Sequence, residues 1–218
     1  MTSKHSTRKL KVLITDDHAI VREGLKQILA DTTDITVAGD AASGFEAIKL
    51  VRRGQCDVML LDISMPDRSG IDILKQLRTE FPKLAVLMLS MHREDQYAIR
   101  ALKAGAAGYL NKQSAPAELV TAIRQVAAGR KYISPTLAQE LANQLDEDHE
   151  RPPHTMLSDR EYQTMTMIAS GKTVSDIAAE LMLSVKTISM YRSRLLQKMK
   201  LRHNAELTHY AIKNQLVD

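Results

Sequence analysis

The sequence predicts two folded units: an α/β, doubly wound parallel sheet of five strands over residues 10–130, then an all-α unit of four helices over residues 155–218. Three observations carry this. Short apolar runs alternate strictly with amphipathic stretches through the first part of the chain. That rhythm stops in residues 131–154, where the acidic run Asp146, Glu147, Asp148 and Glu150 precedes Pro152-Pro153 and reads as a linker. Beyond it only helical patterns with capping signals remain.

The strands are read at Lys11–Thr15, Ile35–Gly39, Val58–Asp62, Leu84–Ser90 and Gly108–Asn111. They are apolar along most of their length, as strands buried on both faces of a parallel sheet are. The amphipathic stretches Ala19–Ala30, Gly44–Arg53, Gly70–Glu80, Asp95–Ala104 and Ala115–Ala128 lie between and after them. Right-handed crossovers place these helices on both faces of the sheet. Leu137–Leu145 has the pattern of a short helix running into the linker.

In the second unit, Ser158-x-x-Glu161 is a capping box that opens a helix to about Ser170, with Gly171 as its stop. Thr173-x-x-Asp176 opens a second helix, ending near Met182. Ser184 caps a third, reaching Met199, and Asn204 starts a fourth, reaching Asn214.

Composition excludes several classes. No apolar run approaches the roughly 18 residues of a membrane span. The N-terminus is polar and basic, without the apolar region of a signal peptide. Cys56 is the single cysteine, so no intramolecular disulfide can form, and a reducing cytoplasmic location is expected. The formal net charge of +4 lies wholly in residues 151–218, the rest of the chain being balanced. Lys186, Arg192, Arg194, Lys198, Lys200 and Arg202 fall between Ser184 and Arg202 with no acidic residue among them, which is the footprint of a polyanion-binding helix.

Open α/β sheets bind ligands outside the carboxyl ends of their strands. The first strand ends in Asp16-Asp17, the third in Asp62, the fourth in Ser90, and the fifth is followed by Lys112. Three carboxylates at one crevice repel one another, and a hard divalent cation removes that repulsion. Mg²⁺ suits one or two protein carboxylates together with water and phosphate oxygens. Asp62 can then attack a phosphoryl group as nucleophile, with the metal, Lys112 and Ser90 neutralising charge on its oxygens.

The stretches Asp16–Leu25, Val58–Gly70, Leu87–Ser90 and Ala104–Lys112 resemble the receiver domains of NarL/FixJ-type response regulators, a resemblance covering residues 10–130. It implies a flavodoxin-like receiver in which Asp62 becomes the 4-aspartylphosphate. Asp16 and Asp17 bind Mg²⁺ together with Asp62 and the backbone carbonyl of Ser64, and Ser90 and Lys112 read the phosphate. Tyr109 falls at the family's switch aromatic, and Ser64 and His92 where the family tunes autodephosphorylation. Many receivers have proline after the lysine, in a cis peptide. This chain has Gln113, for which a cis bond costs about 3 kcal/mol more than trans.

In the second unit, two short helices, a tight turn at Met182-Leu183 and a basic helix have the pattern of a helix-turn-helix. Val185–Met199 is the recognition candidate, with Ile188, Leu195, Leu196 and Met199 inward. Ser189, Met190, Arg192 and Ser193 are expected at a DNA groove, with Lys186, Thr187, Arg194 and Lys198 completing the contact set and the cations turned to phosphates. The segments Leu157–Glu161, Gly171–Ala178, Leu183–Ile188 and Leu201–Leu207 resemble the LuxR-type tetrahelical helix-turn-helix domain over residues 155–215. Where that family often has Thr-Val-Lys-x-His, this chain has Thr187-Ile-Ser-Met-Tyr191.

Together these resemblances imply a transcriptional regulator of a two-component system. It is phosphorylated on Asp62 by a sensor histidine kinase or phosphotransfer protein, and it binds double-stranded promoter DNA as a homodimer. RNA polymerase is a possible further partner. The chain is then not an enzyme beyond assisting its own phosphorylation and dephosphorylation. A haloacid-dehalogenase-like phosphotransferase would need an acidic residue two positions after the nucleophile, where this chain has Ser64. A regulator that uses its receiver only to dimerise would not need Asp16, Asp17, Asp62, Ser90 and Lys112 together.

Overall fold

The computed structural model describes residues 8–54, 56–66, 68–91, 96–114, 116–135, 137–139, 142 and 152–217. His92, Asp95 and the acidic run at 146–150 lie outside them. The chain divides into two compact units, residues 1–139 and 140–218.

The first unit alternates strand and helix: β1 (Leu10–Thr15), α1 (Ala19–Ala30), β2 (Ile35–Ala41), α2 (Gly44–Arg52), β3 (Val58–Asp62), α3 (Gly70–Glu80), β4 (Ala85–Ser90), α4 (Gln96–Lys103), β5 (Gly108–Asn111) and α5 (Pro116–Ala127). All strand pairings are parallel, in the order β2-β1-β3-β4-β5. The order reverses at β1, so a crevice opens at the carboxyl ends of β1 and β3.

Side-chain alternation splits the core. Val12, Ile14, Val58, Leu60, Leu87, Leu89 and Leu110 point to one face, under Leu29 of α1 and Leu119, Ile123 and Val126 of α5. The alternate residues Leu13, Met59, Leu61, Val86, Met88 and Tyr109 are buried on the opposite side.

This unit does not end at residue 130, where the sequence places the start of the linker. The amide of Tyr132 donates to the carbonyl of Ala107 at 2.9 Å, and Tyr132 bridges Gly108 in parallel. The Tyr132 hydroxyl donates to Glu118 of α5 at 2.6 Å. Leu137 is fully buried. Gly108 makes the close approach possible, because a Cβ there would lie 2.7 Å from the Tyr132 carbonyl oxygen.

The second unit opens on a 3₁₀ turn (Pro153–Met156) and continues as α6 (Asp159–Ala169), α7 (Val174–Glu180), α8 (Val185–Met199) and α9 (Asn204–Lys213). The expected capping box forms at Ser158 with Glu161, the helix start read at Thr173 proves to be a second box with Asp176, and Ser184 accepts from the Thr187 amide. α6 is buried nearly all round, so it is the central helix against which α8 and α9 pack. α6, α7 and α8 end alike: an amide bonds to the carbonyl five residues back, and the amide before it closes a shorter loop inside. The left-handed residue these ends require is Gly171 in the first, but Met182 (φ 51°) and Lys200 (φ 56°) in the others.

Candidate functional site

The strand register assembles the acidic crevice. Thr15 of β1 pairs with Leu61 of β3, so the next residues, Asp16 and Asp62, sit side by side. Asp62 pairs with Leu89, which puts Ser90 one step beyond, and Ser90 pairs with Asn111, which puts Lys112 one step beyond that. Asp16, Asp62 and Ser90 are almost completely buried.

The Lys112 ammonium lies 2.6 Å from Asp16 Oδ2 and 3.0 Å from Asp62 Oδ1. Burial pushes the Asp62 carboxyl up to about 6; Lys112 opposes this and the Asp16 charge adds to it. Burial likewise works against the charge on Lys112, but Asp62 and Asp16 outweigh it and hold the ammonium above its ordinary range. One lysine thus faces two buried carboxylates, with Asp17 beside them.

Ligand atoms of Asp16, Asp17, His18 and Asp62 lie within 4.8 Å of one another, close enough to hold one metal ion. Asp62 Oδ2 is buried with no hydrogen-bond partner among the described residues. A buried carboxylate oxygen without a donor is costly unless a cation or ligand supplies the interaction, so the donor set fits a hard cation. Ser64, expected to add its carbonyl, lies just beyond β3, and its backbone hydrogen-bonds the Asp62 carboxylate.

Two contributors were not anticipated. Arg22 of α1 donates to the backbone oxygens of Asp16 at 2.7 Å and Asp17 at 3.3 Å, and to Asp40 at the end of β2 at 2.9 Å. It fixes the backbone that presents the acidic pair. Its sequence signal was position: a cation on the first turns of the helix that follows Asp16-Asp17. Nδ1 of His18, which precedes α1, lies 2.9 Å from Asp17 Oδ1 and 3.3 Å from Asp16 Oδ1.

After β5 the Lys112–Gln113 peptide is trans, as no described peptide bond is cis. The loop uses the donor that a proline would lack: the Gln113 amide donates to Asn111 Oδ1 at 2.8 Å, and the Ser114 amide to the Asn111 carbonyl at 2.9 Å. Tyr109 is fully buried in β5, three residues before Lys112. Cys56 has no part in the site. Its half-buried thiol is pushed up to about 11, chiefly by burial, and is unreactive as a nucleophile.

In the second unit, Ile188, Leu195, Leu196 and Met199 of α8 are buried as expected. Lys186, Ser189, Met190, Ser193, Arg194 and Lys198 are exposed, and Thr187 is half-buried with its hydroxyl 2.8 Å from that of Ser184. Arg192 is a correction. It follows Ile188 by four residues, so it falls on the inward side of the helix, half-buried, with Nε donating to Asn204 Oδ1 at 2.6 Å. It ties α8 to α9 and does not share the outward face. Lys198 is exposed, but its ammonium is held 2.6 Å from Glu161 Oε2.

The chain matches the response regulator receiver domain over residues 12–124 and the bacterial regulatory proteins of the luxR family over residues 155–211. It is 39% identical over 208 residues to the response regulator UvrY of Escherichia coli (strain K12), covering 95% of each chain. Among solved structures it resembles RcsB from Salmonella enterica serovar Typhimurium bound to promoter rprA in the presence of phosphomimetic BeF3⁻, at 25% identity and a TM-score of 0.64, over 93% of this chain and 98% of that one. It also resembles RcsB in a structure of two dimers bound to two parallel DNAs, at 26% identity and a TM-score of 0.58, over 93% and 98% of the two chains. A receiver whose strand register gathers three aspartates, a serine and a lysine, followed by a capped helix-turn-helix, places this chain in the NarL/FixJ family of two-component response regulators with LuxR-type DNA-binding domains.

Proposed function

We propose that the chain is a phosphorylation-gated promoter-binding regulator. A sensor histidine kinase or phosphotransfer protein supplies the phosphoryl group, and Asp62 receives it. The observation that carries this is the row of Asp16, Asp62, Ser90 and Lys112 along one sheet edge, with Asp62 Oδ2 left without a donor. An Asp62 oxygen attacks phosphorus, the bond from phosphorus to the donor nitrogen breaks, and that nitrogen keeps the electron pair and takes up a proton. Mg²⁺, held by Asp16, Asp17, Asp62 and the Ser64 carbonyl, supplies neutralising charge when bound. Lys112 and Ser90 hold the phosphoryl oxygens. The receiver acts on no other substrate.

The output is DNA binding as a dimer through α8. The similarity to RcsB, solved as dimers on DNA and with a phosphomimetic at a promoter, supports this reading. Two recognition helices in a dimer engage half-sites about 34 Å apart. The Ser90–Lys112 grip biases Tyr109 and the β4–α4 region toward a second arrangement that favours the dimer.

Incubation with acetyl phosphate and Mg²⁺ tests the acceptor. Wild type gains one acid-stable, base-labile phosphoryl group by mass and on phosphate-affinity gels, and Asp62→Asn gains none. Stoichiometric phosphorylation of Asp62→Asn would refute the assignment. Beryllofluoride that changes neither oligomeric state nor DNA affinity would refute the gating.

A further inference from the structure

The buried residues of α8 fix what the helix shows to a partner. At 100° per residue, Ile188, Leu195, Leu196 and Met199 define one inward direction. Met190 lies about 180° from it, and Lys186, Ser193, Arg194 and Gln197 fall within about 60° of Met190. The centre of the outward stripe is therefore a thioether, 40% exposed, with cations on its flanks. Met190 is thus a large apolar side chain set among polar and charged neighbours on the exposed side of the helix.

Base edges are read by side chains of matching chemistry. Guanine takes arginine or lysine, adenine takes asparagine or glutamine, cytosine takes a carboxylate, and the thymine C5-methyl takes an apolar group. Recognition helices contact bases mainly through their N-terminal half. In that half of α8 the exposed side chains are Val185, Lys186, Ser189 and Met190, with Ser193 one turn on. None is asparagine, glutamine, aspartate or glutamate. Ser189 and Ser193 are short and lie together on one flank of Met190, so neither holds its side chain away from the groove floor. Arg192, the guanidinium nearest in sequence, is committed to Asn204.

We propose that Met190 is a specificity-determining residue that reads thymine C5-methyl groups in the major groove. This rests on the DNA-binding reading and deepens it: base selection at the centre of each half-site is apolar, and the cations supply affinity.

The test uses the full-length protein, unmodified and beryllofluoride-treated, and a duplex enriched from a randomised pool. The duplex is remade with each thymine in turn replaced by deoxyuracil, which removes only the methyl. For wild type, replacement at discrete positions weakens binding about fourfold for each methyl buried, with the salt slope unchanged. Met190→Ala loses that sensitivity and binds the uracil duplex as wild type does, and Met190→Leu keeps it. Circular dichroism establishes that both variants fold. Equal wild-type affinity for thymine and uracil duplexes overturns the proposal, as does a Met190→Ala variant that still distinguishes them. Failure of wild type to retain any duplex at low salt overturns the DNA-binding reading and this inference with it. Salt-dependent binding without methyl sensitivity overturns this inference alone.

Discussion

Lys198, on the recognition helix, holds its ammonium 2.6 Å from Glu161, the residue that closes the capping box of the central helix. Burial opposes ionisation of Glu161, but Lys198 and the Ser158 amide and hydroxyl outweigh it and keep the carboxyl below its ordinary value of 4.5. A depressed acid stabilises the fold above its unfolded value and loses that contribution as pH falls. The helical unit should therefore weaken as pH drops below about 4.5. Glu161→Gln keeps a capping partner but loses the pair, at a cost of about 1 kcal/mol in urea unfolding. Lys198→Met should lower stability similarly and barely change the salt dependence of DNA binding. Lys186→Met should flatten the log–log salt slope by about 0.9. Equal slope changes for the two would break the distinction.

Asp62 titrates with the opposite sign. Its carboxyl is raised from 3.8 to about 6, so the folded receiver holds a proton that the unfolded chain has released. Metal-free receiver stability should fall as pH rises between those values, by up to about 3 kcal/mol. Asp62→Asn should flatten this profile and be the more stable form at pH 8 without metal. Added Mg²⁺ should narrow the gap by stabilising wild type. Thermal unfolding at several pH values, with and without Mg²⁺, measures both effects.

Gly70, the first residue of α3, packs on the backbone at the end of β3, at Asp62 and Ile63. A Cβ there would sit inside contact distance of the Asp62 carbonyl oxygen and 2.9 Å from Ile63 Cα. Because backbone must move, Gly70→Ala should cost about 2 kcal/mol or more and slow acetyl phosphate labelling. Gly24→Ala, where a Cβ would meet nothing within 4 Å, is the control and should leave labelling unchanged.

Met182 holds a left-handed conformation in the turn between α7 and α8, with its side chain exposed. A side chain in that region costs about 1 kcal/mol relative to glycine. Met182→Gly should raise the urea midpoint accordingly and leave the DNA sequence preference intact. An unchanged or lower midpoint would mean that the Met182 side chain contributes packing its exposure does not suggest.

Legibility in the sequence followed physical cause. Buried parallel strands need apolar runs, and their ends came within about two residues because Asp16, Asp62, Ser90 and Asn111 interrupt those runs. Ser158, Thr173 and Ser184 marked helix starts because each satisfies an otherwise orphaned amide. The ends at Met182 and Lys200 carried no such mark: the left-handed residue is not glycine, and the next cap had to locate them. The crevice was visible because strand-end residues are consecutive in a parallel register. The bracing of its backbone by Arg22 was not, since a helix cation reaching back to carbonyl oxygens leaves no spacing of its own. Arg192 looked like its neighbouring cations because composition alone ignores helical phase.

The bridge between Tyr132 and Gly108 has a consequence for the sheet as a surface. β5 is an edge strand, and an uncovered edge presents amides and carbonyls to any strand of another chain. Tyr132 occupies the start of that edge, and Gly108 lets its backbone come close enough to do so. The residues that lead out of the receiver thus also occupy the place where the start of another strand would pair. A receiver cut at Arg130 would keep its acidic crevice and lose the bridge at Gly108, the first residue of the strand that carries Tyr109, whereas one ending at Gln139 would keep it.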